Sequence, residues 1–238
     1  MGNGNVPKVL VMLKNKPLIL YLLHEIEKIT QLIKPVIVVG FKNKKVEGVL
    51  GDHYTYALQE DQLGTAHALL AAKRKIKAEN ILVLYGDMPF IKAENLRELI
   101  RMHLKSTSNI SICTAQVENF SGIYKSLEHY GRILRDPISH ATGGIVEYKD
   151  ASDEQKKIKE VSAGIFMFNT KWLWQNIEKV KNDGAQKEYY LTDLVALAAG
   201  AGETVRTLPI DPKEAIGVNS KEDLDVAEKI ISDPNIAN

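Results

Sequence analysis

The sequence predicts an α/β protein: a mostly parallel sheet with helices on its faces. Two observations predict it. Short apolar runs ending near glycine, "PVIVVG" (35–40) and "ILVLYGD" (81–87), alternate with stretches of helical period, which is the pattern of βαβ units. The chain also has 238 residues, 45% of them hydrophobic, enough to bury one sizeable core. A single domain over residues 1–238 is expected.

The elements follow in order. Residues 17–33 place Ile19, Leu22, Leu23, Ile26, Ile29 and Ile33 on one helical face, and Pro17 suits the first turn. "PVIVVG" is continuously apolar, as a strand covered on both faces must be. A second strand is "YTYALQ" (54–59), followed by a helix over 64–76 and the strand "ILVLYGD". Residues 93–104 are helical, with Leu96, Leu99, Ile100 and His103 or Leu104 on one side, and 109–117 is a strand. After residue 118 the order becomes less regular. Strands are expected at 130–136, 143–150 and 161–169, and helices at about 170–180 and 188–199. A closing helix begins near Ser220, where Ser220 and Asp223 match a capping box with Asp in place of Glu.

Charge and cysteine usage exclude several classes. The formal net charge is +1, so neither a generic basic surface for nucleic acid nor an acidic one for cations is expected. Cys113 is the sole cysteine. An intramolecular disulfide is excluded, and a reducing, cytoplasmic setting is the simple reading. Cys113 lies in an apolar strand run and is expected as a buried core thiol. No segment is apolar and long enough to span a membrane, and "MGNGNVPKVL" has no basic region leading an apolar stretch.

The strand end "YGD" raises the functional question. In open α/β sheets ligands sit beyond the carboxyl ends of the strands. Gly86 permits close approach, Pro89 ends the strand, and Asp87 should project into the crevice. A lone carboxylate there suits Mg²⁺, which takes few protein oxygens; a turn or helix cap is the alternative. "LQEDQLGTAHA" (58–68) supplies Gln59 and Gln62, then Gly64 and Thr65 opening a helix. Backbone amides there suit a phosphate or the edge of a base, and the glutamines carry both donor and acceptor. An ordinary polar helix cap is the alternative.

Seven motifs stand in order: "PKVL" (7–10), "LQEDQLGTAHA", "VLYGDMPFI", "YGRILRD" (130–136), "IVEYKDAS" (145–152), "QKEYYLTDLVALA" (186–198) and "IGVNSKEDL" (216–224). Together they closely resemble the pyrophosphorylase domain of the bacterial N-acetylglucosamine-1-phosphate uridylyltransferase family, over nearly the whole chain. The resemblance implies a Rossmann-like fold of the nucleotide-diphospho-sugar transferase type. It implies uridylyl transfer from UTP to N-acetylglucosamine 1-phosphate, giving UDP-N-acetylglucosamine and pyrophosphate. It also implies roles. Asp87 and Asn219 would hold Mg²⁺, and Lys8 would lie against phosphate, so Lys8 and Asp87 are the catalytic pair. Gln59, Gln62, Gly64, Thr65 and Gly86 would take the nucleotide. Tyr85, Gly131, Glu147, Ser162, Tyr190 and Thr192 would line the sugar side.

Three departures modify that expectation. The family begins with a strand and a glycine-rich loop, and that strand sits centrally in its sheet. Here only "MGNGNV" precedes Pro7, and Gly2 and Gly4 do not restore the loop. An N-terminally shortened form is expected, with the first strand missing, weak or absent catalysis and impaired stability. The family's "E-x-N-T-G" reads "EVSAGI" (160–165), so Ser162 replaces an amide and Ala163 a hydroxyl. The acceptor is then N-acetylglucosamine 1-phosphate bound differently, or another sugar 1-phosphate. Finally, no hexapeptide repeats follow, so no acetyltransferase domain is expected.

The rival readings are a sugar-nucleotidyltransferase of other specificity and a non-catalytic nucleotide-sugar-binding module. No G-x-G-x-x-G follows a strand, against a dehydrogenase, and no D-x-D metal motif follows one, against a glycosyltransferase. Cys113 has no evident catalytic partner, and His67 is read as structural. A panel of sugar 1-phosphates assayed with UTP tests the departure at Ser162. Preference for N-acetylglucosamine 1-phosphate by tenfold or more would make that substitution irrelevant to sugar choice.

Overall fold

In the computed structural model, residues 6–41, 43–233 and 236 are described; Met1, Gly2 and Gly4 lie outside them. A small hairpin of β1 (Met12–Leu13) and β2 (Lys16–Pro17) turns through Lys14 at φ 53° and feeds α1 (Leu18–Glu27). Pro17 is the residue that caps this helix, just ahead of its first turn. α1 is shorter than the stripe through Ile33 suggests. The Arg97 guanidinium takes the Lys28 carbonyl at 2.7 Å, Ile29 is buried, and Ile33 is 73% exposed.

β3 (Val36–Val39), α2 (Asn43–Leu50), β4 (Thr55–Leu58), α3 (Thr65–Ala72), β5 (Asn80–Val83), α4 (Ala93–Leu104) and β6 (Ile110–Gln116) continue the alternation. The helix expected over 64–76 finishes as a 3₁₀ turn at Lys73–Lys75. α2 is absent from the sequence-based expectation, because Val46 and Leu50 are its sole buried apolar residues in a charged run.

The second half holds β7 (Arg132–Arg135), β8 (Thr142–Val146), α5 (Asp153–Lys156), β9 (Glu160–Asn169), α6 (Thr170–Asn176), α7 (Asp193–Gly200), β10 (Val205–Ile210) and α8 (Lys221–Ser232). β10 also escapes sequence reasoning, since Pro209 argues against a strand. It is tolerated because β10 is at the sheet edge, paired among the described residues with β6 alone.

The α/β class is as expected, but the sheet is mixed rather than mostly parallel. β10 pairs parallel with β6, and β3 parallel with β4 in a separate two-stranded sheet. β9 runs antiparallel to β5, β6 and β7. It is reached through the β7–β8 hairpin and α5, not through a crossover helix that would return it in the parallel sense. Its side chains alternate between two cores. Val161, Ala163, Ile165 and Met167 pack with Leu96, Leu99 and Cys113. Phe166 and Phe168 pack with Ile110, Trp172 and Leu194 on the other face. Burial pushes the Cys113 thiol up to about 12, as its core position requires. Among the described residues, no helix is long and apolar enough to cross a membrane.

The capping box at α8 forms as the sequence predicts. The Asp223 amide donates to Ser220 Oγ at 3.1 Å, and the Ser220 amide to Asp223 Oδ2 at 2.8 Å. Ser220→Ala should therefore destabilise the protein by about 1 kcal/mol, while Ser220→Gly costs only a few tenths. Chemical denaturation of both variants checks the order.

Candidate active site

The site forms where β5 ends against the middle of β9. Ile112 pairs with Phe166, and Thr114 with Ser162, so three residues of β9, Ala163–Ile165, face only Cys113 of β6. This bulge is possible because Gly164 adopts φ +71°; a Cβ there would sit 2.9 Å from the Tyr85 ring. The glycine makes room for Tyr85, the first residue of the "YGD" strand end. Gly86 is similarly close-packed, with Val9 Cγ1 3.1 Å from a Cβ placed on it. Asp87 follows, and its carbonyl accepts the Val218 amide at 2.9 Å. That bond draws the loop before α8 against the end of β5.

Three side chains from distant parts of the chain converge there. Lys8 Nζ donates to Asp87 Oδ2 at 2.5 Å and to Asn219 Oδ1 at 2.6 Å. Ser220 caps α8 as the sequence predicts, while the Asn219 amide donates to Asp223 Oδ2 at 2.9 Å and its side chain turns to Lys8. Asp87 is nearly buried and Lys8 half-exposed, so the ion pair stands at an opening. Tyr130 completes the arrangement. Its hydroxyl accepts the Gly217 amide at 2.8 Å, and a Cβ on Gly217 would lie 2.9 Å from that oxygen.

A second group lies beside Tyr85. Glu147 is raised from the ordinary carboxylate range, first by burial and then by Asp150 and Glu188. Thr192 Oγ1 donates to Glu147 Oε1 at 2.7 Å, and among the described residues Oε2 has no side-chain hydrogen-bond partner. Gly131 faces this carboxylate: a Cβ there would lie 3.5 Å from Oε1 and only 2.7 Å from Ile145. The Ser162 amide donates to the Gly131 carbonyl at 2.9 Å, and Ser162 Oγ accepts the Gly164 amide at 3.4 Å. Burial, reinforced by Glu147, raises the Tyr85 phenol, against a hydrogen bond with Thr65. Tyr190 is placed differently. Its hydroxyl accepts from Gln186 Nε2 at 2.7 Å. Ala163 belongs to the core.

The glutamine loop is occupied by its own fold. Gln59 Nε2 donates to the Gly64 carbonyl at 3.1 Å and lies 3.1 Å from His67 Nδ1. His67 thereby helps hold this loop. Gln62 packs against Gly40, where a Cβ would meet its Nε2 at 2.5 Å. Gly64 is at φ +110° and pressed on the Tyr189 backbone. The Ala66 amide donates to the Tyr189 carbonyl at 2.9 Å, and Thr65 Oγ1 accepts the Leu191 amide at 2.8 Å. The N-terminus of α3 is thus partly used for tertiary pairing.

Sequence reasoning missed four contributors: Tyr130, Gly217, Arg132 and Asp193. Arg132 is fully buried and donates to the carbonyls of Tyr130 at 2.5 Å and Glu128 at 2.8 Å. It therefore fixes the backbone entering Gly131. Its signals in the sequence were a charge ahead of the apolar pair Ile133-Leu134 and its place in the motif "YGRILRD".

Among the described residues, no group of three or more His, Cys, Asp or Glu is placed to hold a metal. The Asp87–Asn219 pair contains one carboxylate and one amide oxygen. Both already point at a single cationic centre, the Lys8 ammonium. That donor set fits Mg²⁺, which keeps waters and takes phosphate oxygens in its remaining positions.

Comparison with known proteins places these features in context. The family model described as "MobA-like NTP transferase domain" matches residues 1–183. "Bifunctional protein GlmU" of Thermosipho africanus is 40% identical over 228 residues, covering 95% of this chain and 47% of that protein. The protein of the same name from Francisella tularensis subsp. novicida is 37% identical over 250 residues, covering 98% and 52%. The chain spans about half the length of the curated relatives it matches. Among solved structures, UDP-glucose pyrophosphorylase complexed with UDP-glucose has a TM-score of 0.75 at 17% identity, covering 96% of this chain and 91% of that one. A glucose-1-phosphate thymidylyltransferase of Bacillus anthracis, in complex with a sucrose, has a TM-score of 0.74 at 16% identity, covering 97% and 89%. Both likenesses concern the fold.

Asp193 gives this region a pH signature. Burial first, then Glu147, raises its carboxyl from 3.8 to about 6. The folded state therefore holds a proton that the unfolded state releases, so this residue's contribution to stability falls as pH rises between about 4 and 6. The melting temperature of the wild type minus that of Asp193→Asn should decline across that window and stay level above it. A flat difference from pH 4 to 7 would show that the carboxyl titrates normally.

Proposed function

The chain belongs to the family of MobA-like NTP transferase domains, and on that premise we propose that it transfers the uridylyl group of UTP to N-acetylglucosamine 1-phosphate. An oxygen of the sugar phosphate forms a bond to the α-phosphorus while the bond to pyrophosphate breaks, giving UDP-N-acetylglucosamine. The observation that supports this reading best is the convergence of Lys8, Asp87 and Asn219 on one point beyond the end of β5, beside the half-satisfied carboxyl of Glu147. The first faces a phosphate and its cation; the second faces sugar hydroxyls.

In this reading the protein positions reactants and offsets phosphate charge. Lys8 acts as a point charge against phosphate. Asp87 and Asn219 hold Mg²⁺, which supplies charge neutralisation at the phosphates. Gln59, Gln62, Gly64 and Thr65 frame the uracil, in a loop kept in shape by the Gln59–Gly64 bond, with Gly86 beside the nucleotide. Tyr85, Gly131, Ser162, Tyr190 and Thr192 bound the sugar, and Glu147 bonds its hydroxyls. The proposal treats residues 1–238 as one nucleotidyltransferase domain working in the cytoplasm, in keeping with its free, buried cysteine.

One observation favours a second reading, a nucleotide-sugar-binding module without turnover. The Lys8 ammonium itself occupies the point between Asp87 and Asn219, so a metal must displace it. Pyrophosphate release with UTP, N-acetylglucosamine 1-phosphate and Mg²⁺ separates the two. Transfer predicts release that falls at least a hundredfold in Asp87→Ala, the scale of losing a preorganised charge-stabilising group. No release, with UDP-N-acetylglucosamine still raising the melting temperature, selects the binding module. Neither release nor a thermal shift would overturn both.

A further inference from the structure

Three segments far apart in the chain enclose a cavity of about 470 Å³. They are the last turn of α4, the turn that joins β7 to β8, and the start of β10. The charge of its lining is one-sided. Arg101, Lys105, Arg135, His140 and Arg206 line it, and no Asp or Glu does, in a chain whose formal net charge is only +1. A cleft lined by one sign of charge concentrates ligands of the other.

Two of these charges are matched nearby. Arg101 pairs with Glu98 on α4, and Arg135 holds Glu160 through Nη2 at 2.5 Å and Nε at 3.0 Å. Lys105 and Arg206 are exposed, and neither forms an ion pair with the described residues. The Arg101 hydrogen bond first, and the Lys105 charge last, hold the Glu98 carboxyl below its ordinary range. Lys105 also stands at the C-terminus of α4, where the helix dipole favours a cation. Arg206 lies on β10, where neither a helix end nor a carboxylate accounts for it.

The hydroxyls complete a set of donors. Arg135 Nη1 donates to Thr142 Oγ1 at 2.9 Å, and Nη2 to Thr207 Oγ1 at 3.3 Å. Each threonine oxygen already accepts a bond from a cation, so its own O–H is what it has left to offer. Both threonines line the cavity. Two cations without ion-pair partners and two hydroxyl donors fit the oxygens of a phosphate dianion. The volume is in the range that admits a small molecule.

We infer that this cavity is a second binding site, for a small phosphate anion, free or esterified. Lys105 and Arg206 meet its charge, and Thr142 and Thr207 donate to its oxygens. The inference is independent of the reaction proposed above, since none of the residues assigned to that reaction lines the cavity. Its test titrates the full chain with inorganic phosphate and with glycerol 3-phosphate at constant ionic strength and follows backbone amide NMR shifts, with glycerol as the neutral control. Saturating shifts should appear at residues 101–106, 139–142 and 204–207. Tighter binding of glycerol 3-phosphate assigns the site to a phosphate ester, and equal binding assigns it to the free ion. The Lys105→Glu, Arg206→Glu double variant should bind at least about tenfold more weakly, with a melting temperature within about 2 °C of the wild type, as for exposed positions. Arg206→Gln alone should weaken binding several-fold and keeps the test readable if the double variant loses its fold. Shifts confined to the surroundings of Lys8, Asp87 and Asn219, shifts equal to those with glycerol, no saturation, or unchanged affinity in the variants would overturn the inference.

Discussion

The pairing of β9 with three other strands is the constraint on which the candidate site depends. β6 runs along one side of it, while β5 and β7 meet it on the other, at Phe166–Asn169 and at Val161 respectively. Eight of its ten residues are buried, so its register is held by both cores at once. Phe166 and Phe168 stack at 5.8 Å on one face. With that register set, the strand end carrying Tyr85, Gly86 and Asp87 must arrive beside Tyr130 and Gly131. The bulge at Gly164 then leaves the space that the Tyr85 ring fills. A side chain at Gly164 would disturb the backbone angle and the ring together.

Buried charge is handled by three different means around this frame. Among the described residues Arg132 has no carboxylate partner. Its guanidinium is satisfied by carbonyls and lies over the rings of Phe120 and Tyr148, which recovers part of the desolvation cost and orders the chain before Gly131. Glu214 is spent on structure: it accepts the Lys92 amide and Asn95 Nδ2 at the start of α4. Glu147 is different, because Thr192 satisfies one oxygen and the other lies 3.6 Å from where a Cβ on Gly131 would sit. Its raised affinity for protons comes mainly from burial. The Lys8–Asp87 pair stands at an opening, with the lysine half-exposed and the carboxylate nearly buried.

Local signals were read correctly where one element decides the outcome. The Ser220–Asp223 capping box and the buried Cys113 thiol each follow from a few neighbouring residues, whereas the strand expected over 81–87 ends at Val83 and leaves Asp87 in the turn beyond it. The helices at 93–104 and after Ser220 formed because their apolar spacing is strong. What escaped the sequence depends on partners far along the chain. β10 is a strand because β6 offers it an edge despite Pro209. Tyr130 and Gly217 matter through a bond spanning 87 positions. Asp193 is perturbed by burial and by Glu147, which the sequence places 46 residues away. The mixed sheet was misread for the same reason, since strand direction is a property of connections rather than of composition.

By itself the sequence determined the α/β alternation, the capping box at Ser220 and the burial of Cys113, whereas the two-face burial expected of "PVIVVG" is not met, since Val36, Ile37 and Val38 of β3 are only half-buried. Periodicity, capping chemistry and side-chain inventory are local, and they survive without knowledge of the fold. Only the tertiary structure decided that Lys8, Asp87 and Asn219 share one point and that Thr192 holds Glu147. It alone showed that the glutamine loop binds itself and that α4, the β7–β8 turn and β10 share a basic cavity. Those facts arise from strand register, a glycine bulge and loop-to-loop hydrogen bonds, which join residues tens to hundreds of positions apart and leave no periodic trace in the chain.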